Sequence, residues 1–242
     1  GPFSIIEKGT VIGEGTVIHS NVEIKEGTHI GRNCEIHHGA VLGGIPQDIK
    51  FRGEESYLRI GDGAQIREYV TLHRASGEGE HTIVGEECML MANSHIGHNC
   101  RVGKQVVLAN LTALGGFVTI GDYTFIGGLT GIHQFVKVGE YVMVGAAGAV
   151  FEDVPPFMMT SGGYRSPVCG LNIVGLRRAG FSPEIISELK KAYRLIYKSD
   201  NSKEKIIETL STEFSGHETI RSLISFLKAS ERGISRSVSK PS

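Results

Sequence analysis

The chain has 242 residues, of which 40% are hydrophobic and 21% charged, and its formal net charge is −1. This length allows one sizeable core, or a large domain with a small one beside it. The near-zero charge gives no basic footprint for nucleic acid, and the absence of any apolar run of 18 residues predicts no integral membrane segment. Four cysteines are too few for a disulfide-built fold and favour a cytoplasmic location.

An aliphatic residue at every sixth position is the dominant pattern of the first 150 residues. It occupies each multiple of six from Ile6 to Leu42, from Ile60 to Leu72 and from Val84 to Val150. Such a period is typical of a triangular parallel β-helix, in which three hexads form one coil and the aliphatic residues stack inside. Glycine and small residues are expected at the corners. An ordinary β-sandwich would instead need a period of two.

Two segments, residues 43–59 and 73–83, interrupt the repeat without changing its phase. A loop that leaves a regular scaffold is able to reach a ligand. We therefore expect these loops to approach a functional site, with a tolerated surface insertion as the alternative.

The repeat ends after Val150, and Pro155-Pro156 predicts the end of the last strand because proline cannot donate to a ladder. We place the β-helix at residues 1–154 and a small helical domain at residues 155–242. Residues 157–181 show no pattern and are expected to be irregular.

The remaining sequence predicts three helices and a tail. Ser182-Pro183 is typical of a helix start. Amphipathic patterns predict further helices over residues 203–214 and 218–229. The tail from Ser230 is expected to be mobile.

The segment His95-Ile96-Gly97-His98-Asn99 carries two histidines inside the unbroken repeat. Because Ile96 is expected to point inward, both histidines are expected to project outward near a coil edge. Histidine suits general-base work because its unperturbed pKa is about 6.5. On spacing alone, a histidine at such a position is more often simply solvated. The sequence supports no metal site, because no third ligand has a clear spacing.

Two other features bear on chemistry. Gly115-Gly116 departs from the usual pattern of the repeat and is placed to expose a backbone N–H to an oxyanion. Cys34, Cys88 and Cys100 occupy the small-residue phase of the repeat, so we expect them to pack inside.

The chain contains PQDIKFRGEE (46–55), MANSHIGHNC (91–100), GLTGIHQFVKVGEYVMVGAAGAVFEDVPP (128–156) and GLNIVGLRRAGFSPE (170–184). Together these segments resemble the UDP-N-acetylglucosamine acyltransferase family of lipid A biosynthesis, and the resemblance covers essentially the whole chain. It implies a left-handed β-helix, since periodicity does not set the handedness. It also implies a cofactor-free homotrimer that moves a (3-hydroxy)acyl group from acyl carrier protein to the 3-position of UDP-N-acetylglucosamine.

The resemblance implies roles for individual residues. His98 becomes the general base, and the Gly116 N–H stabilises the oxyanion. The nucleotide sugar, in a cleft between two subunits, is met by Gln47, Asp48, Lys50, His95, His133, Gln134, Asn172 and Arg178. Met143 and Ala146 lie where the family sets acyl-chain length. The basic side chains Lys190, Lys191 and Arg194 face the acidic carrier protein or, alternatively, only solvent.

This chain departs from the family at two positions near the base. Asn99 stands where an Asp usually follows the base, and Phe117 replaces a common His. An amide can orient an imidazole but cannot compensate its positive charge. We therefore expect a less basic His98, or a carboxylate supplied from elsewhere, and we count Asn99 among the catalytic residues.

Three alternative functions remain open from the sequence. One is N-acylation of the 3-amino analogue of the sugar, since an amine tolerates a weaker base. Another is an acetyl-CoA-dependent nucleotide-sugar acetyltransferase on the same scaffold. The third is a catalytically silent β-helix that serves as a scaffold or binds a nucleotide sugar.

Overall fold

The computed structural model describes residues 1–214 and 216–237 as a left-handed parallel β-helix followed by α-helices. Its strands are, in chain order, Ile5–Ile6 (β1), Val11–Ile12 (β2), Val17–Ile18 (β3), Glu23–Ile24 (β4), Thr28–Ile30 (β5), Glu35–Ile36 (β6), Val41–Gly44 (β7), Tyr57–Ile60 (β8), Gln65–Ile66 (β9), Thr71–His73 (β10), His81–Val84 (β11), Met89–Leu90 (β12), His95–Ile96 (β13), Arg101–Val102 (β14), Val107–Leu108 (β15), Ala113–Leu114 (β16), Thr119–Ile120 (β17), Phe125–Ile126 (β18), Gly131–Ile132 (β19), Lys137–Val138 (β20), Met143–Val144 (β21), Gly148–Val150 (β22), Met158–Thr160 (β23), Gly163–Tyr164 (β24) and Val168–Leu171 (β25). The helices are Ile173–Arg178 (α1), Pro183–Lys198 (α2), Lys203–Glu213 (α3) and Glu218–Ala229 (α4).

Every third strand of the β-helix joins the same flat sheet. Sheet A has the order β1-β4-β7-β10-β13-β16-β19-β22-β24, and sheet B has β2-β5-β8-β11-β14-β17-β20. Sheet C has β25-β23-β21-β18-β15-β12-β9-β6-β3. In the unbroken coils, equivalent residues are 18 apart, as in the parallel pair His95 and Ala113. The predicted triangular β-helix is therefore confirmed.

The sixth-position aliphatic residues form the core. Ile24, Ile36 and Leu42 are fully buried, and their counterparts up to Val150 are buried in the same way. Burial of each such side chain contributes about 1.5–3 kcal/mol. Ile6, in the first coil of this sequence, is 49% exposed. Cys34, Cys88 and Cys100 are buried free thiols, as the repeat predicts.

The corners of the coils differ from expectation. Small residues were expected there, but Phe117 and Phe135 lie at the corner between sheets A and B with φ values of 61° and 66°. The left-handed conformation is rare for bulky residues. The coil tolerates it because the ladder holds each corner: the Phe117 N–H donates to His98 O at 2.9 Å, and Phe135 N–H to Gly116 O at 3.0 Å.

The two interruptions of the repeat are shorter loops than predicted. Strands β7 and β8 leave residues 45–56 outside the ladder, and β10 and β11 leave residues 74–80. The loops pack on each other: Ser56 Oγ donates to Ala75 O at 2.5 Å, and the Gly79 N–H donates to Glu55 O at 2.8 Å. The two loops therefore form one packed unit beside sheet A.

The segment after Val154 is more ordered than predicted. The expectation of an irregular chain over residues 157–181 is wrong for β23, β24 and β25, which extend sheets C and A, and for α1. Strands β23 and β24 are placed by parallel pairing with β21 and β22, and β25 by antiparallel pairing with β23. The proposed domain boundary after residue 154 stays a prediction.

The three predicted helices are confirmed. Helix α2 begins after Ser182, whose Oγ accepts the Ile185 N–H at 3.4 Å. Helix α3 ends one residue earlier than predicted, and α4 has the predicted bounds. None of the helices in the described residues is long and apolar enough to cross a membrane.

The expectation of a mobile tail is wrong for residues 230–237. Ser230 is buried and donates from Oγ to Asp153 Oδ2 at 2.8 Å, while the Ser235 N–H donates to Asp153 O at 2.8 Å. Residues 238–242 lie outside the described part of the chain.

Candidate active site

An open groove of about 410 Å³ lies at the corner between sheets A and B. Four successive coils and the first loop contribute to it. Its lining residues are Gln47, His73, His95, Gly97, His98, Leu114, Gly115, Gly116, Ile132, His133 and Gln134. The groove thus brings together six of the residues singled out in the sequence: Gln47, His95, His98, Gly116, His133 and Gln134.

The proton position on His98 follows from the hydrogen bonds of Asn99. Asn99 Oδ1 accepts the Ser76 N–H at 2.9 Å, and Asn99 Nδ2 donates to Ser76 O at 3.0 Å. These two bonds fix which end of the amide is the oxygen. Asn99 Oδ1 also lies 2.8 Å from His98 Nδ1, so Nδ1 must carry the proton. His98 Nε2 is left with a free lone pair, as a general base requires.

Gly116 lies against the free nitrogen of His98. A methyl group on Gly116 would lie 2.5 Å from His98 Nε2 and 2.7 Å from Cε1, so any larger residue would displace the His98 ring. The Gly116 N–H donates to no acceptor among the described residues. A reacting carbonyl beside His98 would therefore have a free backbone donor within the same corner.

Two further histidines border the base. His95 Nδ1 lies 2.8 Å from Thr71 Oγ1, and the rings of His73 and His95 meet edge to face at 5.0 Å. Burial, with a smaller effect of His95, lowers the pKa of His73 to about 4, and burial also lowers the pKa of His95. Both rings are therefore neutral at neutral pH.

His73 was missed in the sequence because it was assigned to the second interruption. The parallel register of Leu72 with Ile96 places His73 on the strand that borders His95. A comparison of residues 71–73 with residues 95–97, which occupy equivalent positions in neighbouring coils, would have identified His73.

The first loop brings a carboxylate toward the base. Asp48 Oδ1 accepts the Lys50 N–H at 2.9 Å. This bond lowers the pKa of Asp48, as do the Ser76 hydroxyl and the positive charge that His98 carries when protonated. Ser76 also holds Asn99, through its backbone N–H. Asp48 therefore lies near enough to His98 for a charge on the ring to affect the Asp48 carboxylate.

Four predicted residues lie elsewhere on the protomer. Asn172 caps α1 by accepting the Gly175 N–H at 3.0 Å, and it donates to Tyr141 O at the corner between sheets B and C at 2.9 Å. Arg178 is exposed at the end of the same helix. Met143 belongs to sheet C, and Ala146 to the corner that follows it. A single protomer does not bring these residues to the His98 groove.

Exposed aromatic residues continue the groove outward. Phe117 contacts the His98 ring edge to face at 5.2 Å and stacks on Phe135 at 4.9 Å. Their exposed fractions are 40% and 47%. An apolar row of this kind is typical of a surface that is covered by another molecule.

Two family profiles match this chain. The profile described as UDP N-acetylglucosamine O-acyltransferase, domain 2, matches residues 153–235. The bacterial transferase hexapeptide profile matches residues 1–44 and 81–116.

Curated relatives match nearly the whole chain. An acyl-(acyl-carrier-protein)–UDP-N-acetylglucosamine O-acyltransferase from Thermodesulfovibrio yellowstonii is 44% identical, over 98% of this chain and 92% of the relative. An enzyme of the same name from Aquifex aeolicus is 55% identical, over 81% of this chain and 76% of the relative.

Solved structures agree with the fold. The UDP-N-acetylglucosamine acyltransferase of Francisella novicida superposes with a TM-score of 0.95 at 34% identity, covering 98% of this chain and 87% of that one. The Bacteroides fragilis enzyme gives a TM-score of 0.90 at 35% identity, covering 98% of this chain and 99% of that one.

Proposed function

This chain belongs to the UDP-N-acetylglucosamine O-acyltransferase family, and we propose that it transfers an acyl group from acyl carrier protein to the sugar 3-hydroxyl with His98 as general base. The observation that carries the assignment of the base is the Asn99 network, which leaves His98 Nε2 unprotonated beside Gly116. The product, a 3-O-acyl UDP-N-acetylglucosamine, would enter lipid A biosynthesis.

The reaction proceeds through two proton transfers at His98. Nε2 takes the proton of the sugar hydroxyl while the oxygen attacks the thioester carbonyl. The tetrahedral oxyanion accepts a hydrogen bond from the Gly116 N–H. When the intermediate collapses, the carrier thiolate leaves and takes the proton back from His98. The thioester is already an activated donor, so we propose that no cofactor takes part.

Asp48 supports the protonated state of His98. The imidazolium that forms in the first step needs a negative partner, and Asn99 is neutral. Asp48 is ionised at neutral pH, as an ordinary carboxyl group is, and the Lys50 N–H and the Ser76 hydroxyl lower its pKa further. We propose that this loop carboxylate replaces the Asp that family members usually place next to the base.

A homotrimer with clefts between subunits would complete the site. His98 lies at the corner between sheets A and B, whereas Asn172 and Arg178 lie by the corner between sheets B and C. Side-by-side packing of two protomers can bring these two corners together. The exposed pair Phe117 and Phe135 supports such packing.

The shared cleft has a direct test. Chains with His98→Ala and chains with Arg178→Ala are each expected to lose activity. Mixed trimers should recover a fraction of it, because some clefts then combine the intact His98 of one chain with the intact Arg178 of the other. If trimers form, as confirmed by light scattering, but no activity is recovered, then His98 and Arg178 of one and the same protomer must act together in each site.

Acyl carrier protein is the expected donor. Lys190, Lys191 and Arg194 are exposed on α2, where a basic face suits an acidic partner. Met143 and Ala146 are proposed to limit the acyl chain, and His95, His133, Gln134, Gln47 and Lys50 are proposed to hold the nucleotide sugar.

The acceptor is best tested by product analysis. The enzyme is given a mixed pool of acyl carrier proteins together with UDP-N-acetylglucosamine and its 3-amino analogue. Mass spectrometry should find mainly the ester, as the names of the relatives indicate. A predominant amide would overturn the hydroxyl acceptor, and transfer from acetyl-CoA alone would overturn the carrier-protein donor.

A further inference from the structure

We propose that His19, Glu35 and His37 form a binding site for a transition-metal dication, best matched by Zn²⁺, at the corner between sheets C and A. The site lies on a different corner from the His98 groove. It does not depend on the acyl transfer proposed above.

The repeat itself brings the three side chains together. Strands β3 and β6 are parallel neighbours with Val17 opposite Glu35 and Ile18 opposite Ile36. His19 and His37 follow these strands, so they occupy the same position in successive coils. Their rings stack with centroids 4.7 Å apart and an interplanar angle of 17°.

The distances suit a small metal ion. Glu35 Oε1 lies 3.0 Å from His19 Nε2 and 3.5 Å from His37 Nε2, and the three ligand atoms all lie within 4.8 Å of one another. Zinc bonds of about 2.0–2.2 Å in a tetrahedron place neighbouring ligand atoms about 3.3 Å apart. Small side-chain movements are therefore enough to bind an ion, with a water as the fourth ligand.

A buried nitrogen that makes no hydrogen bond points to the same ligand. His37 Nε2 is buried and makes no hydrogen bond in the described residues. A buried polar atom of this kind is uncommon and calls for an explanation such as an ion. On the other side of the ring, His37 Nδ1 lies 3.6 Å from Glu68 Oε1. A carboxylate behind a ligating histidine is the usual outer partner at zinc sites.

The ligand chemistry selects the class of ion. Two imidazoles and one carboxylate suit Zn²⁺, Co²⁺ and Ni²⁺, whereas Ca²⁺ and Mg²⁺ prefer oxygen ligands alone. Binding would link two successive coils, so we infer that the ion stabilises the folded β-helix at this corner.

Calorimetric titration of the chelator-treated, untagged full chain with ZnCl₂ tests the site. One Zn²⁺ should bind per chain, and the unfolding midpoint should rise with Zn²⁺ because the ion binds the folded state. Glu35→Gln and His19→Ala should each weaken binding by more than tenfold, and Glu68→Gln by about tenfold. With Co²⁺, the visible absorption of a tetrahedral site should appear in the wild type and disappear in His19→Ala.

His217→Ala is the matched control. His217 Nε2 also lies 3.5 Å from a glutamate, Glu188, but that pair does not belong to the three-ligand cluster. This variant should bind Zn²⁺ as the wild type does. Absence of Zn²⁺ binding by the wild type would overturn the proposal. Equal affinity in the wild type, His19→Ala and Glu35→Gln would also overturn it, because the ion would then be bound elsewhere, for example at the histidines around His98.

Discussion

The corner between sheets A and B and the helical segment after Val154 are held in different ways. At the corner, backbone bonds join neighbouring coils, such as Phe117 N–H to His98 O at 2.9 Å. The helices are attached by scattered side-chain contacts, including Ser222 Oγ to Glu140 Oε1 at 2.6 Å and Lys137 Nζ to Ala229 O at 3.0 Å.

The catalytic residues and the contacts that hold the helices therefore lie in different parts of the molecule. His98 and Gly116 are one coil apart, so the repeat holds them in contact without help from the helices. The helices present an exposed basic face. Changes at the corner should therefore alter catalysis with little effect on stability, and changes at the attachment contacts should do the reverse.

The largest effect is expected for His98→Ala. Removal of the general base should lower kcat about 100- to 10,000-fold, while the unfolding midpoint stays within error because the ring is not part of the core. Steady-state kinetics with acyl carrier protein thioester and thermal unfolding measure the two quantities. A loss of activity below about threefold would rule out His98 as the base.

Gly116→Ala should lower kcat about 100-fold, because the added methyl displaces the His98 imidazole and the oxyanion donor together. Gly170→Ala is the control, since a methyl group there meets no atom within 4 Å. Kinetics of both variants check the prediction. Equal activity of the two would show that the close approach of Gly116 and His98 has no catalytic role.

Charge reversal on α2 should separate donor binding from chemistry. In the double variant Lys190→Glu with Arg194→Glu, KM for the acyl carrier protein should rise about tenfold while kcat changes little, because like charges then oppose docking. The effect should shrink as salt is added. An unchanged KM at low salt would mean that this face only contacts solvent.

The smallest effect on activity is expected at Asp153, which joins the β-helix to the tail. Its Oδ1 accepts the Lys137 N–H and its Oδ2 accepts from Ser230 Oγ, each at 2.8 Å. Asp153→Ala should lower the free energy of unfolding by about 1–3 kcal/mol by leaving buried donors unpaired, and Ser230→Ala by about 1 kcal/mol. Denaturant unfolding checks the values. A large loss of kcat in Ser230→Ala would show that the tail takes part in catalysis.

The same contrast explains what the sequence could and could not predict. The six-residue period predicted the coils, and the 18-residue spacing of His98 and Gly116 already implies that they lie on neighbouring coils. The family resemblance placed Asp48 at the site, but the contact of Ser76 with Asn99 was not predictable, because it depends on how the second loop packs. Helix α1 was missed because six residues are too few to show a clear helical period. That Asn172 caps this helix is evident only from the structure.

The central claim is that residue 99, beside His98, determines that His98 Nε2 acts as the base. The Asn99→Asp variant tests this claim most directly. A carboxylate next to the imidazole favours the charged ring, so it should raise the pKa of His98. The acidic limb of the pH profile of kcat/KM, measured with UDP-N-acetylglucosamine, should then move to higher pH in Asn99→Asp than in the wild type. A limb at the same pH in both enzymes would contradict the account.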